Sequence, residues 1–309
     1  MADYNVTNLF FGFPHELLIF YMTDRYAIIG NPVSHSKSPD IHREFAREMG
    51  LSISYEHLLS PLDGFIQTVA AFRSAGRLPA AGANVTVPFK INAFNYATEL
   101  TARALRGGAV NTLKFDGANI LGDNTDGVGL YADIERNLGF KIAGARVLVM
   151  GAGGAVRGVL GNLWDASPAL LAITNRTFIK AEEIAKQFND AKSSSARAGD
   201  SKEKIRVMAL KELPAQQFDL IINATSASLA ESLPLVPVAS FAPGALAYDM
   251  MYGKGQTPFL MLASSAGART ADGLGMLVEQ AAESFYVWHG LRPSTMPVLA
   301  MLRAQLAKI

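Results

Sequence analysis

Hydrophobic residues follow two alternating patterns along the chain, and these patterns predict strands that alternate with helices. Short continuous apolar segments, such as "ARVLVM" from Ala145 to Met150, are typical of strands in a parallel sheet that is covered on both faces. Longer segments in which polar residues are interspersed follow most of them, and we expect helices there, as over Phe178 to Phe188. This alternation indicates an α/β layer fold.

The part of the chain before Asp126 predicts one α/β unit. Ser38 suits the N-cap of a helix whose first helical residue is Pro39. In "NVTVPFK", residues 84 to 90, β-branched residues predict a strand that Pro88 stops. Lys90 follows directly. It is either a solvent-exposed charge at the edge of the sheet or a reactive group held at the ends of the strands. The other predicted elements are a strand at Tyr26 to Ile29, helices at Phe65 to Ala75 and Ile91 to Leu105, and two short strands around the turn Asp116-Gly117.

A second series of strands and helices begins at Asp126. Its first strand precedes a glycine-rich turn, and further apolar strands follow. Two helices end the chain, one running to Gly290 and the other from Pro297 to Ala307, and we expect both to return to the first unit. A length of 309 residues also suggests two domains.

The composition of the chain mainly excludes certain partners and certain kinds of chemistry. The formal net charge of +1 indicates neither a nucleic-acid partner nor an acidic membrane surface. Because the chain has no cysteine, disulfides and thiolate catalysis are excluded, and a reducing cytoplasm fits. The histidines show no metal-ligand spacing, so we predict no metal.

The apolar residues 1–21 lack Lys and Arg and contain Pro14, so they fit neither a signal peptide nor a membrane span. We interpret them as an extension ahead of the first domain, or as residues upstream of a natural start at Met22.

The segment "VLVMGAGGAVRG" combines a strand, a glycine turn and a helix start. Gly151 would allow the tight turn, and Gly153 would let backbone N–H groups approach a pyrophosphate at the helix N-terminus. Val156 replaces the glycine or alanine of the third fingerprint position, so the match is imperfect. The alternative is a simple tight turn between a strand and a helix.

The end of the next strand bears on which dinucleotide would bind. An Asp or Glu commonly stands there to bind the ribose 2′-OH of NAD, but this strand ends in Asn175, Arg176 and Thr177, with Lys180 one turn later. Because an arginine suits a 2′-phosphate, we predict NADP(H). The alternative for Arg176 is a solvated charge at the strand end.

Two polar turns offer further candidates. "GDNTDG" contains Asp123 and Asp126, but Gly127 stands at the fifth position, where a calcium loop needs an oxygen ligand. For Asp123, turn chemistry and a functional role remain equally compatible with the sequence. In "SHSKS", the hydroxyls of Ser36 and Ser38 could hold a small carboxylate, although Ser38 could also simply cap its helix.

Eight motifs, in this order, resemble the shikimate dehydrogenase family: "GNPVSHSKSPDIH", "ANVTVPFK", "GAVNT", "GDNTDGVG", "GAGGA", "NRT", "INATS" and "ADGLGMLVEQAA". The resemblance covers about residues 24–309, with small departures at Val156 and Ser228. It implies two α/β domains with the active site in the cleft between them. A mainly parallel-sheet substrate domain would comprise residues 22–125 and be completed by 273–309, and a Rossmann-like NADP-binding domain would comprise 126–272.

The resemblance further implies an activity and its residues. The family reversibly reduces 3-dehydroshikimate to shikimate with NADPH, in the shikimate pathway of aromatic amino-acid biosynthesis. We therefore expect a cytoplasmic monomer or homodimer that binds a small-molecule substrate, with Lys90 and Asp126 as the catalytic pair. The other implied contacts are Ser36, Ser38 and Tyr252 to the substrate carboxylate, Thr86, Asn111 and Gln280 to ring hydroxyls, and Gly151, Ala152, Gly153, Gly154, Ala155, Asn175, Arg176, Thr177, Lys180, Met250 and Gly273 to NADP(H).

Two other functions stay open at this point. One is a related enzyme that acts on quinate, which carries one more hydroxyl. The other is a non-catalytic dinucleotide sensor on the same fold. A sensor has no need for both Lys90 and Asp126, and this chain has both.

Overall fold

Two six-stranded sheets organise the part of the chain that the computed structural model describes, residues 23–76, 78–193, 205–225, 236–253 and 255–308. Each sheet has helices on its faces and its own apolar core, which confirms the α/β fold with two sheets. Residues 1–21 and Ser228, for which the sequence raised expectations, lie outside the described residues.

The first sheet has the strand order β2-β1-β3-β5-β6-β4. β1 pairs in parallel with β2 and β3, and β4 pairs in parallel with β6. β5 is antiparallel to both of its neighbours, so the sheet is mainly parallel, as predicted. Its strands are β1 (Asp24–Gly30), β2 (Ile53–Leu59), β3 (Ala80–Val85), β4 (Glu99–Leu100), β5 (Thr112–Asp116) and β6 (Asn119–Asp123).

Four helices accompany this sheet: α1 (Ser38–Glu48), α2 (Phe65–Ser74), α3 (Lys90–Tyr96) and α4 (Ala102–Gly107). The single helix predicted over Ile91 to Leu105 is wrong, because β4 separates α3 from α4. The backbone N–H of Thr98 donates to the carbonyl of Ile120 at 2.9 Å, so pairing with β6 overrides local helix propensity here.

The second sheet is parallel throughout, in the order β12-β11-β10-β7-β8-β9. Because the order reverses at β7, the sheet is doubly wound, and the crevice beyond the end of β7 is where such sheets bind dinucleotides. Its strands are β7 (Arg146–Met150), β8 (Leu170–Thr174), β9 (Arg206–Val207), β10 (Phe218–Asn223), β11 (Phe241–Asp249) and β12 (Arg269–Asp272).

The helices along this second series are α5 (Asp126–Ala132), α6 (Gly154–Asp165), α7 (Phe178–Ser193) and α8 (Pro258–Ser265). A π-helical turn (Asp133–Asn137) extends α5, and short 3₁₀ turns occupy Leu210–Ala215 and Val238–Ser240. Thr257 caps α8, since its hydroxyl accepts from the backbone N–H of Leu260 at 3.3 Å.

The last two helices, α9 (Leu274–His289) and α10 (Thr295–Leu306), pack on α1. The rings of Phe45 in α1 and Phe285 in α9 lie 5.8 Å apart in an edge-on contact. α9 also contacts α5 closely, because a Cβ on Gly129 would lie 2.6 Å from that of Gln280. α9 therefore touches both α1 and the start of the second series. Among the described helices, none is long and apolar enough to cross a membrane.

Candidate active site

The carboxyl ends of β1 and β3 meet the start of β5 and the end of β6 at one edge of the first sheet. The backbone N–H of Val85 donates to the carbonyl of Asn111 at 2.8 Å, and that of Asn111 donates to the carbonyl of Asp123 at 3.0 Å. Since β5 is antiparallel, its first residues share an edge with the last residues of its neighbours. Thr86, Asn111 and the loop that leads to Asp126 therefore come together.

Lys90 and Asp126 form a buried ion pair at this edge. The Lys90 Nζ donates to the Asp126 Oδ2, and the two side chains are only 14% and 6% exposed. The predicted strand is shorter than expected, because β3 ends at Val85 and a turn leads to Lys90 as the first residue of α3. Asp126 is likewise the first residue of α5, so each side chain of the ion pair is positioned by the start of a helix. The solvated-edge interpretation of Lys90 is excluded by this burial.

Asn111 connects Asp126 to the C-terminal helices. Its Nδ2 lies 2.8 Å from the Asp126 Oδ1 and 3.1 Å from the Gln280 Oε1, and its Oδ1 accepts from the Thr125 backbone N–H at 2.9 Å. Asn111 and Gln280 are both buried. Both oxygens of the Asp126 carboxylate therefore have donors from the protein, which fixes its orientation.

The serine turn lies ahead of α1, but Ser38 does not cap this helix as predicted. The helix begins at Ser38 itself, with Lys37 at the N-cap position and no side-chain cap. Instead the Ser36 hydroxyl accepts from the Ser38 backbone N–H at 3.3 Å, and the two hydroxyls lie 3.1 Å apart. Tyr252 reaches the same turn, where burial raises its pKa and a hydrogen bond from the Lys37 backbone lowers it in part.

The glycine turn follows β7 as predicted. Gly151 has φ 123°, a conformation that favours glycine, and α6 begins at Gly154 without a side-chain cap. A Cβ on Gly153 would meet no atom within 4 Å, so the backbone there is open to a ligand. The uncapped first N–H groups of α6 and this open backbone fit a pyrophosphate. Ala152 and Ala155 complete the turn.

This turn also lies next to Lys90. A Cβ on Gly154 would be 3.4 Å from the Lys90 Cβ, so the stem of the lysine borders the start of α6. Val156, the departure from the fingerprint, is fully buried in the core of the second sheet. Its side chain fills space behind the turn, and the turn forms without a small residue at this position.

The close approach of α6 depends on Gly158 rather than on position 156. A Cβ on Gly158 would lie 2.8 Å from the Asn124 Oδ1 and 2.9 Å from the Asp126 Oδ2. These distances are shorter than normal contacts, so a larger residue would displace the loop that carries Asp126. The sequence analysis missed this position, although a glycine one turn after Gly154 was a visible signal.

The remaining predicted cofactor residues lie at the ends of β8, β11 and β12 and in the first turn of α7. The Asn175 Nδ2 donates to the carbonyl of Thr177 at 2.9 Å, which closes a tight turn between β8 and α7. Arg176 is exposed on this turn, and Lys180 is exposed in the first turn of α7. A Cβ on Gly273 would collide with the carbonyl of Met250, so the close contact between these two residues requires glycine at position 273.

Asp123, which the sequence left open, has an ion-pair role in the structure. Arg103 donates from Nε and Nη2 to its two carboxylate oxygens at 2.6 Å and 2.5 Å. Burial raises the pKa of Asp123, but the Arg103 guanidinium outweighs this and holds the pKa below its usual value. In the part of the chain that the structure describes, no cluster of side chains could hold a metal ion.

A buried cluster of polar side chains supports the site and was not predicted from the sequence. The Ser284 hydroxyl lies 2.8 Å from that of Thr112 and 3.1 Å from that of Thr125, and it accepts from the Asn84 Nδ2 at 3.0 Å. Asn84 and Ser284 are 200 residues apart in the sequence, so no local pattern connects them.

The doubly wound sheet carries a glycine turn, and a buried lysine–carboxylate pair lies beside it. These features are typical of the class of nicotinamide-dependent oxidoreductases. Comparison with known families agrees with this class. Residues 28–113 match the shikimate dehydrogenase substrate binding domain, residues 133–231 match shikimate / quinate 5-dehydrogenase, and residues 273–304 match the shikimate 5'-dehydrogenase C-terminal domain.

Individual relatives extend the match over most of the chain. A shikimate dehydrogenase (NADP(+)) from Nitrosospira multiformis is 54% identical over 286 residues, which cover 92% of this chain and 99% of the relative. The crystal structure of an Ael1 enzyme from Pseudomonas putida is 44% identical with a TM-score of 0.80, over 91% of this chain and 98% of that one.

Shikimate 5-dehydrogenase from Thermus thermophilus, solved in complex with NADP(H) and shikimate, is 30% identical with a TM-score of 0.78. The match covers 91% of this chain and 99% of that one. The chain belongs to the shikimate dehydrogenase family.

Proposed function

We propose that the protein is an NADP-dependent oxidoreductase that reversibly reduces 3-dehydroshikimate to shikimate in the shikimate pathway, with Lys90 and Asp126 as its catalytic pair. The observation that carries the proposal is the position of Lys90. Its Nζ bonds to the Asp126 carboxylate, while its stem borders the glycine turn at Gly154. A single lysine thus stands between the polar edge of the first sheet and the dinucleotide crevice of the second.

Lys90 would move the proton. When bound, the reduced nicotinamide supplies a hydride to the ketone carbon of the substrate, and negative charge then develops on the ketone oxygen. The Lys90 ammonium at hydrogen-bond distance would stabilise this charge and donate its proton to the oxygen. Asp126 would hold the ammonium in place. In the oxidative direction neutral lysine must accept the proton, so this direction should become faster as the pH rises.

Neutral donors would hold the rest of the substrate. Ser36 and Ser38 offer two hydroxyls 3.1 Å apart, and Tyr252 borders the same turn, which suits a carboxylate. Thr86, Asn111 and Gln280 would bind the ring hydroxyls. Asn111 already lies 2.8 Å from Asp126 and 3.1 Å from Gln280, which supports a shared hydroxyl site.

NADP would lie along the crevice of the second sheet. Gly151, Ala152, Gly153, Gly154 and Ala155 would cradle the pyrophosphate, in keeping with the open backbone at Gly153. The turn of Asn175, Arg176 and Thr177, with Lys180, would bind the adenosine 2′-phosphate. Met250 and Gly273, which pack against each other at the ends of β11 and β12, would border the nicotinamide half.

The domain boundaries follow from the same proposal. Residues 22–125 with 273–309 would form the substrate domain, and residues 126–272 the cofactor domain. The packing of α9 and α10 on α1 supports this division. We also propose that the protein acts in the cytoplasm, as a monomer or a homodimer.

An assay of purified protein with shikimate or quinate, each with NADP⁺ or NAD⁺, tests the proposal through the absorbance of reduced nicotinamide. We expect the highest kcat/KM with shikimate and NADP⁺. Quinate is included because residues 133–231 match a family named for both substrates. A clear preference for quinate, or no turnover with either substrate, would contradict the proposal.

A further inference from the structure

One guanidinium group joins the two elements that carry Asp126 and Gln280. From α4, Arg103 holds both carboxylate oxygens of Asp123, and its Nη1 donates to the Glu283 Oε1 at 2.9 Å. Asp123 ends β6 three residues before Asp126, and Glu283 lies in α9 three residues after Gln280. Arg103 therefore bridges two segments that would each contribute a residue to the substrate site.

The Asp123 end of this bridge is connected to Asp126 by short hydrogen bonds. Asp123 also accepts from the Thr101 hydroxyl at 2.6 Å and from the Asn124 backbone N–H at 2.7 Å. The Asn124 side chain in turn accepts from the Asp126 backbone N–H at 3.1 Å. A shift of Asp123 would therefore move the first residue of α5, which carries the Asp126 carboxylate.

The Glu283 end is connected to Gln280 by the helix itself, since positions three apart lie on one face of α9. The second carboxylate oxygen of Glu283 accepts from the Arg292 Nη1 at 2.8 Å. The Asp123 and Glu283 side chains are 3% and 9% exposed, whereas Arg292 is 63% exposed. Arg103 is thus the cation that two buried carboxylates share, and removal of one partner would leave buried charge without compensation.

We propose that Arg103 is a positioning residue for the reaction: it sets the separation of Asp126 and Gln280 by bridging Asp123 and Glu283. The role rests on the function proposed above. It goes beyond that function because Arg103 touches neither of the catalytic residues. A misplacement of reacting groups by about 1 Å can cost about 10²-fold in rate. Loss of the bridge should therefore be visible in kinetics and not only in stability.

The chain offers a matched control one turn further along α4. Arg106 is also 25% exposed and donates to both carboxylate oxygens of Asp165 at 3.0 Å and 2.6 Å. Asp165 ends α6, away from Asp126 and α9. Arg106→Met thus removes an ion pair from the same helix without touching the bridge, although Asp165 is 50% exposed and Asp123 only 3%.

The test compares the wild type, Arg103→Met and Arg106→Met in steady-state oxidation of shikimate by NADP⁺, with thermal unfolding measured in parallel. We expect Arg103→Met to lower kcat/KM for shikimate by about 10²-fold. Its KM for NADP⁺ should change by less than about threefold, since the bridge lies on the substrate side. Arg106→Met should lower the unfolding temperature but keep the wild-type kcat/KM. Equal kinetic losses in both variants, or losses that follow the unfolding temperature, would overturn the positioning role.

Two milder variants keep the inference testable if Arg103→Met does not fold. Asp123→Asn weakens the arm toward Asp126, and we expect it mainly to lower kcat. Glu283→Gln weakens the arm toward Gln280, and we expect it mainly to raise the KM for shikimate. The same kinetic signature from both variants would contradict a bridge with two separate ends.

Wild-type turnover separates this inference from the proposed function. A wild type that does not oxidise shikimate with NADP⁺ overturns the proposed function and the role of Arg103 with it. A wild type that is active, together with an Arg103→Met variant of unchanged kcat/KM, overturns the role of Arg103 alone.

Discussion

The polar edge of the first sheet and the adenosine turn of the second sheet hold their charged groups in opposite ways. Lys90 and Asp126 are mostly buried, and the Asp126 carboxylate has donors on both oxygens. Arg176 is exposed on the turn after β8, which the Asn175 side chain closes, and Lys180 is exposed in the first turn of α7. The first region orders its charges by contacts within the protein, whereas the second presents them to solvent.

This difference suggests that the first region serves the chemical step and the second serves cofactor binding. A buried, hydrogen-bonded pair costs little reorganisation at the moment of reaction, which favours the chemical step. Exposed cations gain a strong partner only when a phosphate arrives, so they contribute to affinity and to selectivity between cofactors. We therefore expect substitutions in the first region to change kcat, and substitutions in the second to change the preference for NADP over NAD.

The largest effect should come from Lys90. Lys90→Ala should lower kcat for shikimate oxidation by roughly 10²- to 10⁴-fold, the usual scale for general acid–base catalysis. KM should change much less, because the serine turn and Gln280 remain in place. Steady-state kinetics at saturating NADP⁺ measures both parameters. A variant with nearly wild-type kcat would remove the contrast between the two regions.

A smaller effect, confined to the cofactor, should come from Arg176. Loss of one charge-assisted contact of about 1.5–3 kcal/mol corresponds to roughly 10- to 150-fold. Arg176→Ala should therefore weaken NADP⁺ by this factor and leave NAD⁺ almost unchanged, and the loss should shrink at high salt because the contact is exposed. Kinetics with each cofactor at two salt concentrations gives the comparison. Equal weakening of both cofactors would instead indicate adenine stacking or support of the fold.

The serine turn sharpens the comparison within the first region, because it would bind substrate without taking part in proton transfer. Ser36→Ala removes one hydroxyl that would contact the substrate carboxylate, so the KM for shikimate should rise about tenfold. The kcat should stay near the wild-type value. Ser36→Thr, which keeps the hydroxyl, is the matched control. An unchanged KM with a lower unfolding temperature would indicate a structural role for this serine.

The smallest effect concerns acid stability, which the aromatic core behind the serine turn should set. His42 in α1 is fully buried, with its ring stacked 4.8 Å from that of Tyr55, and burial lowers its pKa to about 3. The unfolded chain binds the proton near pH 6.5, so stability is fully present above that pH and is lost as the pH falls toward 3. The slope should be about 1.4 kcal/mol per pH unit.

Chemical denaturation of the wild type and His42→Phe between pH 7 and pH 5 measures this slope. We expect a steeper loss of stability in the wild type. Burial also lowers the pKa of His289, which is present in both proteins, so His289 adds the same loss to both curves. Parallel curves for the two proteins would show that His42 does not control acid stability.

The sequence predicted the local turns around the site better than the distant contacts that support them. The glycine turn and the strand end at Asn175 are local signals, so their geometry followed from neighbouring residues. The family resemblance supplied the pairing of Lys90 with Asp126, and the structure brings the two side chains together.

One error arose where pairing with another strand decides local structure, since β4 interrupts the predicted helix because it pairs with β6. The other error is local, because the Ser36 hydroxyl accepts from the backbone N–H of Ser38, which starts α1 in place of a cap. The Arg103 bridge and the Ser284 cluster join segments more than 100 residues apart. No periodicity or motif reports contacts at that separation, so only the folded chain reveals them.

The most direct test of the account is chemical rescue of Lys90→Ala with small primary amines. In the proposed function the Lys90 amine transfers the proton. Truncation of Lys90 to alanine leaves space beside Asp126 that methylamine or ethylamine can enter. We predict that added amine restores shikimate oxidation in proportion to its concentration. We also predict that the rate rises with the basicity of the amine, as general base catalysis requires. Asp126→Asn, which retains the lysine, should show no rescue. Failure of every amine to raise the rate of Lys90→Ala, in a variant that still binds shikimate and NADP⁺, would contradict proton transfer by Lys90.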